Sequence, residues 1–189
     1  MQNARKNRPV FITGAPRCGS SWVGEILSNC ESTRYLYEPF NHRWVPVLRE
    51  DLPHFSYFKG QSPVPSVLLQ QAQRSFHGKQ SWKQLARAAY RGYLRAATRR
   101  ADRVIVKDPT ASLMTEWVSQ EFDAQVLFIM RHPCGFASSL DTLNWKLNVG
   151  SLLRQQQLMQ DHLAPFIDIL NHARGDKWLT RGAIWAAIH

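Results

Sequence analysis

The sequence predicts an α/β fold of three layers, in which a central parallel sheet is flanked by helices on both faces. Short apolar runs typical of strands alternate along the chain with segments of helical spacing, and this alternation is typical of parallel sheets. The chain has 189 residues, of which 44% are hydrophobic and 20% charged. These values suit a single domain with a sizeable core, spanning residues 1–189.

Four segments are predicted to form the strands of this sheet. Each is short, rich in β-branched or aromatic residues, and followed by glycine, proline or a charged residue. They cover residues 9–14, 34–40, 103–109 and 125–133. The apolar run of the last one, "VLFIM" at residues 126–130, predicts a strand that is buried in the sheet.

The helices are predicted from apolar residues that recur at helical spacing. They cover residues 20–30, 82–100, 112–122 and 133–143, and a long amphipathic helix follows over 152–170 with a kink at Pro165. The final "TRGAIWAAIH" predicts a helix without a stop signal. We therefore expect the natural chain to continue beyond His189.

The net charge of +10 is concentrated in one part of the chain. Four arginines recur every four residues within the predicted helix 82–100, which places them on one helix face: Arg87, Arg91, Arg95 and Arg99. The face is either solvated or a surface for an anionic partner such as an acidic glycan or a lipid headgroup. Nucleic acid is not expected, because no motif that reads bases accompanies the charge.

The cysteines and the hydropathy pattern bear on metal and location. Cys18, Cys30 and Cys134 lack the spacing of a metal site, and no segment is typical of a secretory signal or a membrane span. We therefore expect no metal and a reduced, cytoplasmic protein.

The segment between the first strand and the first helix, "GAPRCGSSW", resembles a phosphate-binding loop. Gly14 and Gly19 have the spacing of G-x-x-x-x-G-K-S/T, but Ser20 stands where that motif has its lysine. Amide groups at the helix start still favour an anion there, and Arg17 adds a cation. The missing lysine argues against a ligand held by its β- and γ-phosphates.

A second anion site is predicted where the fourth strand ends. Arg131 lies at that end, and Ser138 and Ser139 follow within the next helix. An arginine and a serine hydroxyl can hold one phosphate together. Two such sites at neighbouring strand ends predict a nucleotide with phosphates at both ends of its ribose.

Together these motifs resemble those of sulfotransferases that use 3′-phosphoadenosine 5′-phosphosulfate (PAPS), over residues 9–145. The resemblance implies a P-loop-like fold, PAPS as co-substrate and no metal. It implies a 5′-phosphosulfate site at "RCGSSW", which comprises Arg17, Cys18, Gly19, Ser20, Ser21 and Trp22, and a 3′-phosphate site at Arg131 and Ser139. Cys18 departs from the Ser or Thr usual in the family, and its thiol is a weaker donor.

The end of the second strand resembles one branch of that family. Small-molecule cytosolic members have "KTH" after the third strand, but here Lys107 is followed by Asp108 and Pro109. "YEPF", residues 37–40, is similar to the strand-two end of carbohydrate-type and tyrosine-protein-type members, where a Glu is the general base. The chain thus resembles the carbohydrate-type or bacterial-like branch. The resemblance thus implies that Glu38 is the base, with Lys107 contacting the transferred group and Arg17 stabilising the leaving phosphate. Glu38 could instead form a structural ion pair with Arg17 or Arg34, and we expect Asp108 to be a cap.

The implied activity is sulfuryl transfer to the hydroxyl of a carbohydrate, lipid or other small acceptor. If the basic face of helix 82–100 contributes to acceptor binding, we expect that acceptor to be anionic. Residues 43–80 are predicted to be an irregular insertion that lines the acceptor cleft, although its aromatic residues could form a satellite core: Trp44, Phe55, Tyr57 and Phe58. Two alternatives remain. One is a P-loop kinase or nucleotide hydrolase with Asp108 at a metal, and the other is a non-catalytic module that binds PAPS or another anion.

Overall fold

The computed structural model describes residues 8–43, 45, 48 and 52–189. Its strands are Val10–Thr13 (β1), Thr33–Tyr37 (β2), Arg103–Lys107 (β3) and Gln125–Phe128 (β4). They form one sheet in the order β2-β3-β1-β4, and every neighbouring pair is parallel. The predicted α/β fold with a central parallel sheet is confirmed.

The helices connect and follow these strands. The α-helices are Ser20–Ser28 (α1), Ser66–Phe76 (α2), Trp82–Tyr90 (α3), Leu94–Thr98 (α4), Thr115–Phe122 (α5), Pro133–Thr142 (α6), Gly150–Leu153 (α7), Gln156–Leu158 (α8), Ile167–His172 (α9) and Lys177–Ile188 (α10). Three 3₁₀ segments, Pro109–Met114, Ala164–Phe166 and Ala173–Gly175, and a π-helical turn, Met159–Leu163, complete the set. None of the helices within the described ranges has both the length and the apolarity needed to cross a membrane.

The sheet is covered on both faces because successive strand residues point to opposite sides. On one face, Phe11, Leu36 and Val106 pack with residues of α2 and α5. On the other face, Ile12, Tyr35 and Ile105 pack with residues of α1 and α4. These two clusters make the three layers that the alternating sequence predicts.

Helix α1 lies unusually close to β2. A Cβ atom on Gly24 would come within 2.6 Å of the Tyr35 hydroxyl oxygen, which is closer than real Cβ atoms approach. Gly24 therefore lets α1 settle on the sheet, and this fixes where the first turn of α1 lies.

A third cluster surrounds α6 and fixes the helix that follows Arg131. Phe136 and Leu140 are fully buried there, against apolar residues of the C-terminal helices that include Leu152, Leu170 and Ile184.

Two predicted helices are interrupted. The helix predicted over 82–100 breaks between α3 and α4, where Gly92 adopts a left-handed φ of 79°. The helix predicted over 152–170 is divided by the π-helical turn and by the 3₁₀ segment that contains Pro165. In both cases the apolar spacing is satisfied by short segments that pack separately.

Two predicted strands also differ from the structure. The second ends at Tyr37 rather than Phe40. The fourth ends at Phe128 and is not buried, because β4 pairs with β1 alone among the described strands and Val126 and Leu127 are exposed.

Candidate active site

The predicted site residues lie together at the carboxyl ends of the strands. The Arg17 loop follows β1, Glu38 follows β2, Lys107 ends β3, and Arg131 follows β4. The loop, Glu38 and Arg131 line a cavity of about 820 Å³. Ligands of open α/β sheets bind in this position, outside the strand ends.

The loop after β1 has the geometry of an anion cradle. Gly14 has a φ of 134°, and a Cβ atom there would lie 2.1 Å from the Ile129 carbonyl oxygen, so only glycine fits. Gly19 adopts a left-handed φ of 100° directly before α1 and offers no capping side chain to its first-turn amides. These amides and the helix dipole favour an anion in the cavity.

Arg17 joins the two predicted anion sites. Its Nε donates to the Ser139 hydroxyl oxygen at 3.1 Å, and its guanidinium lies 6.0 Å from the Trp145 ring centroid. Arg131 in turn donates to the Arg17 carbonyl oxygen at 3.0 Å. Arg17, Arg131 and Ser139 thus converge, although they come from three different elements.

A glycine positions Arg131 as well. A Cβ atom on Gly135 would lie 2.9 Å from the Arg131 Nε, so the absence of a side chain lets Arg131 fold over the start of α6. The indole of Trp185 also donates to the Arg131 carbonyl oxygen at 2.8 Å. Neither contact follows from the sequence pattern.

Glu38 is held by two cations and an amide. Its Oε1 accepts from Lys107 Nζ at 2.7 Å, and its Oε2 accepts from Arg87 at 2.9 Å and from Asn41 at 2.9 Å. Burial alone would raise the pKa of Glu38. The charges of Lys107 and Arg87, with the hydrogen bonds from Lys107 and Asn41, outweigh burial and hold that pKa below its usual range.

Lys107 lies behind the cavity wall. Its side chain is fully buried, and its Nζ donates to the Ser21 hydroxyl oxygen at 3.0 Å as well as to Glu38. The ammonium also lies 3.6 Å from the Tyr37 ring centroid. In this arrangement Lys107 acts on the cavity through Ser21 and Glu38, and its direct contact with a transferred group stays a prediction.

Asp108 is a cap, as expected. Its Oδ2 accepts from the Phe40 amide at 2.7 Å, and its Oδ1 accepts from the Thr110 amide at 2.9 Å and hydroxyl at 2.6 Å. Burial and the nearby charge of Glu38 raise the pKa of Asp108 to about 6. Both oxygens are occupied within the protein, and no group of three or more potential metal ligands occurs in the described part of the chain.

The alternative ion pairs of Glu38, with Arg17 or Arg34, do not form; its cationic partners are Arg87 and Lys107. Arg17 bonds to Ser139, and Arg34 donates to the carbonyl oxygens of Arg99 and Gly78. The partner of Glu38 that the sequence does not reveal is Arg87, which comes from α3 and also lies 4.6 Å from the Tyr37 ring centroid. Only the tertiary structure brings α3 to the end of β2.

The aromatic residues of the segment 43–80 do not line the cavity where they are described. Phe55 is buried in the cluster around α6, Tyr57 donates to Asp161 at 3.0 Å, and Phe58 packs on the Trp117 ring. They pack against the main clusters, Phe55 and Tyr57 with the α6 cluster and Phe58 with the cluster on the sheet face of Phe11, and do not form a small satellite core of their own. Arg43 from this segment does line the cavity, and Trp44 lies outside the described residues.

A comparison with protein families identifies the chain. A family model described as "Sulfotransferase family" matches residues 9–176. The chain belongs to the sulfotransferase family. No curated protein matches it significantly.

Family membership places the chain among enzymes that transfer sulfuryl groups. The region matched by the family model includes all of the predicted site residues, from Arg17 to Ser139. It also agrees with the P-loop-like arrangement of a parallel sheet with the loop after β1.

Proposed function

We propose that this sulfotransferase transfers the sulfuryl group of PAPS to a hydroxyl group of an acceptor. The observation that carries the proposal is the convergence of two anion-binding groups and a carboxylate on one cavity. PAPS would supply an activated sulfuryl group and a phosphate leaving group. The residues around the cavity fit such a ligand, since cationic side chains and the first-turn amides of α1 face one space.

Arg131 and Ser139 would hold the 3′-phosphate. Arg17 reaches Ser139 in this structure, so its guanidinium lies between this pair and the loop. The amides of Gly19, Ser20 and Ser21 would hold the 5′ end. Trp22 is 67% exposed at the cavity wall, where its ring offers a flat surface for the base.

Glu38 would take the proton of the acceptor hydroxyl. Its pKa is lowered, so it is ionised throughout the neutral range and ready to accept a proton. The same cations make it a weaker base, and Arg87 and Lys107 hold its two oxygens in place. A charge that develops on the leaving oxygen would be stabilised by Arg17 and by the loop amides.

The surroundings of the base support the carbohydrate-type branch over the small-molecule cytosolic branch. Lys107 is followed by Asp108 and Pro109, and the carboxylate of Glu38 occupies the position beside Lys107. We also propose that no metal takes part. In a kinase or hydrolase, Asp108 would be the carboxylate that binds the metal, but here its two oxygens accept hydrogen bonds from Phe40 and Thr110.

The test of the proposal is the response of the melting temperature to nucleotides. A ligand that binds the native state raises it. We expect PAP, the product nucleotide, to raise it without added metal and ATP–Mg²⁺ to raise it far less. Equal shifts, or a strict requirement for magnesium, would contradict the proposal.

Turnover separates an enzyme from a non-catalytic binding module. We expect sulfate from labelled PAPS to appear on an acceptor hydroxyl in the presence of the protein. Binding of PAP without transfer to any member of a panel of carbohydrate, lipid and phenolic acceptors would favour the module.

A further inference from the structure

A second groove adjoins the cavity along α3. It has a volume of about 790 Å³ and is lined by Arg43, Trp82, Lys83, Ala86, Arg87, Tyr90 and Arg91. Arg43, Arg87 and Arg91 also line the cavity that contains Glu38. The two spaces therefore share a wall, and a molecule that lies in the groove can extend to Glu38.

The groove is cationic. Four of its seven lining residues are Lys or Arg, and none is acidic. Arg87 is paired with Glu38, but Lys83 and Arg91 have no carboxylate within 4.0 Å among the residues that the structure describes. Such a concave surface favours an anionic occupant.

The groove also has two exposed aromatic rings. Trp82 is 73% exposed and Tyr90 is 89% exposed. Both lie on α3, and a separation of eight residues corresponds to roughly 12 Å along a helix. Lys83 lies 5.7 Å from the Trp82 ring centroid, so a cation and a flat apolar surface are presented side by side.

Helix α3 presents these side chains from a fixed position. The Ser81 hydroxyl accepts from the Gln84 amide, and the Gln84 side chain accepts from the Ser81 amide, which caps the start of the helix on both sides. Ala88 is buried beneath it. The occupant would thus meet a preformed surface.

The rest of the basic segment does not contribute to the groove. Arg95 lies on α4, beyond the break at Gly92, and is exposed outside the groove. Arg99 donates to the carbonyl oxygens of Ser28 and Cys30. Only the α3 part of the predicted stripe faces the cavity.

We propose that this groove binds an acidic oligosaccharide, which is the acceptor. Its carboxylate or sulfate groups would contact Lys83 and Arg91, and its sugar rings would pack on Trp82 and Tyr90. The proposal rests on the proposed function, because the reacting hydroxyl must lie at Glu38. A sugar chain suits both spaces, since each ring carries free hydroxyls and neighbouring rings carry the anions.

Two other anionic surfaces fit less well. A bilayer is broad, whereas the groove is a concave space that leads to Glu38. A nucleic acid chain would match the cations and the rings, but it offers at most one free hydroxyl on each sugar beside the phosphates.

The test is direct binding of a hexasaccharide of alternating uronic acid and hexosamine in the presence of PAP, measured by calorimetry. The carboxyl-reduced hexasaccharide is the neutral control, and a hexauridylate and anionic lipid vesicles are the competing probes. The groove variant is Trp82→Ala with Lys83→Gln, and the control for lost surface charge is Arg95→Gln. PAP affinity is measured for each variant.

We expect the acidic hexasaccharide to bind more tightly than the other three probes. The groove variant should weaken binding of the acidic hexasaccharide by about tenfold, the equivalent of about 1.4 kcal/mol. The Arg95→Gln variant should bind this sugar nearly as tightly as the wild type, and the affinity for PAP should change little in either variant. Equal binding of the neutral and acidic sugars, tighter binding of hexauridylate or vesicles, or an equal effect of Arg95→Gln would overturn the proposal. If PAP itself does not bind, the proposed function fails; if PAP binds but the acidic sugar does not, only the present inference fails.

Discussion

At the scale of single residues, the site depends on how Glu38 is held. Its backbone has a left-handed φ of 49°, and its amide donates to the Lys107 carbonyl oxygen at 2.6 Å. Its two carboxylate oxygens accept from three different side chains. Backbone and side chain are therefore both determined by contacts, which keeps the carboxylate at the cavity wall.

Replacing Glu38 by Gln should remove the proposed base without removing any group of the proposed PAPS site. The amide keeps the shape but cannot take a proton near neutral pH, so turnover should fall by ~10²–10⁴. The acid limb of the pH–rate profile, which reports a group with a lowered pKa, should disappear. Affinity for PAP should stay nearly unchanged; near-normal turnover would show that another group is the base.

Arg131 should discriminate between nucleotides by their 3′-phosphate. Arg131→Ala should weaken the binding of PAPS by about 1.5–3 kcal/mol. The binding of adenosine 5′-phosphosulfate, which lacks that phosphate, should weaken little. Arg17→Ala should weaken the binding of both nucleotides and slow turnover as well, because the proposed role of Arg17 is to stabilise charge that grows during transfer. Arg154→Ala is the matched control, because Arg154 is an exposed arginine that follows α7 and does not line the cavity. An equal loss for both nucleotides in Arg131→Ala would make Arg131 structural.

At the scale of elements, the proposed PAPS site depends on how α1 packs against β2. The first-turn amides of α1 form part of the loop cradle, so a shift of α1 moves them. Gly24 and Tyr35 determine the position of α1 against β2, since a Cβ atom on Gly24 would lie 2.6 Å from the Tyr35 hydroxyl oxygen.

Gly24→Ala should therefore destabilise the protein by about 1–3 kcal/mol, the usual cost of overpacking. It should also lower the affinity for PAP. Gly182→Ala is the control, because a Cβ atom there meets nothing within 4 Å. It lies within α10 and should be neutral or stabilising, since Ala is the better helix former. Urea unfolding and PAP titration measure both effects, and equal behaviour of the two variants would contradict this account of α1.

At the scale of the whole molecule, stability should depend on the protonation of Asp108. Its pKa rises on folding from 3.8 to about 6, because it is buried beside Glu38. A raised carboxyl pKa favours the folded state at low pH, and this contribution is lost as pH rises through about 6. Glu38 acts in the opposite direction, since its lowered pKa favours the folded state above its usual pKa.

The comparison of the wild type with Asp108→Asn isolates the Asp108 contribution. The Asn variant loses one acceptor, toward either Phe40 or Thr110, at every pH. The free energy of unfolding of the wild type relative to the variant should therefore fall between pH 4 and pH 7. A constant or rising difference, measured by urea unfolding across that range, would show that Asp108 does not titrate in the window.

Much of the fold, and the convergence of the Arg17 loop with Arg131 and Ser139, could be predicted from local patterns. The spacing of Gly14 and Gly19, the arginine between them and the start of α1 lie within a few residues, so their geometry follows from the turn and the helix. Arg131 and Ser139 are likewise a strand end and the helix after it. Parallel strands then bring both to the same edge of the sheet.

The sequence by itself determined the alternation of strands and helices, the anion loop and the carboxylate at the end of β2. Only the tertiary structure decided what surrounds that carboxylate. Arg87 lies 49 residues from Glu38 and Lys107 lies 69 residues away, and no periodicity specifies that they meet. The break at Gly92 has the same origin: regular arginine spacing describes one helix, but the chain turns so that Arg87 and Arg91 face the cavity while Arg99 binds carbonyl oxygens. Packing of distant elements against a common sheet, rather than local propensity, set these contacts.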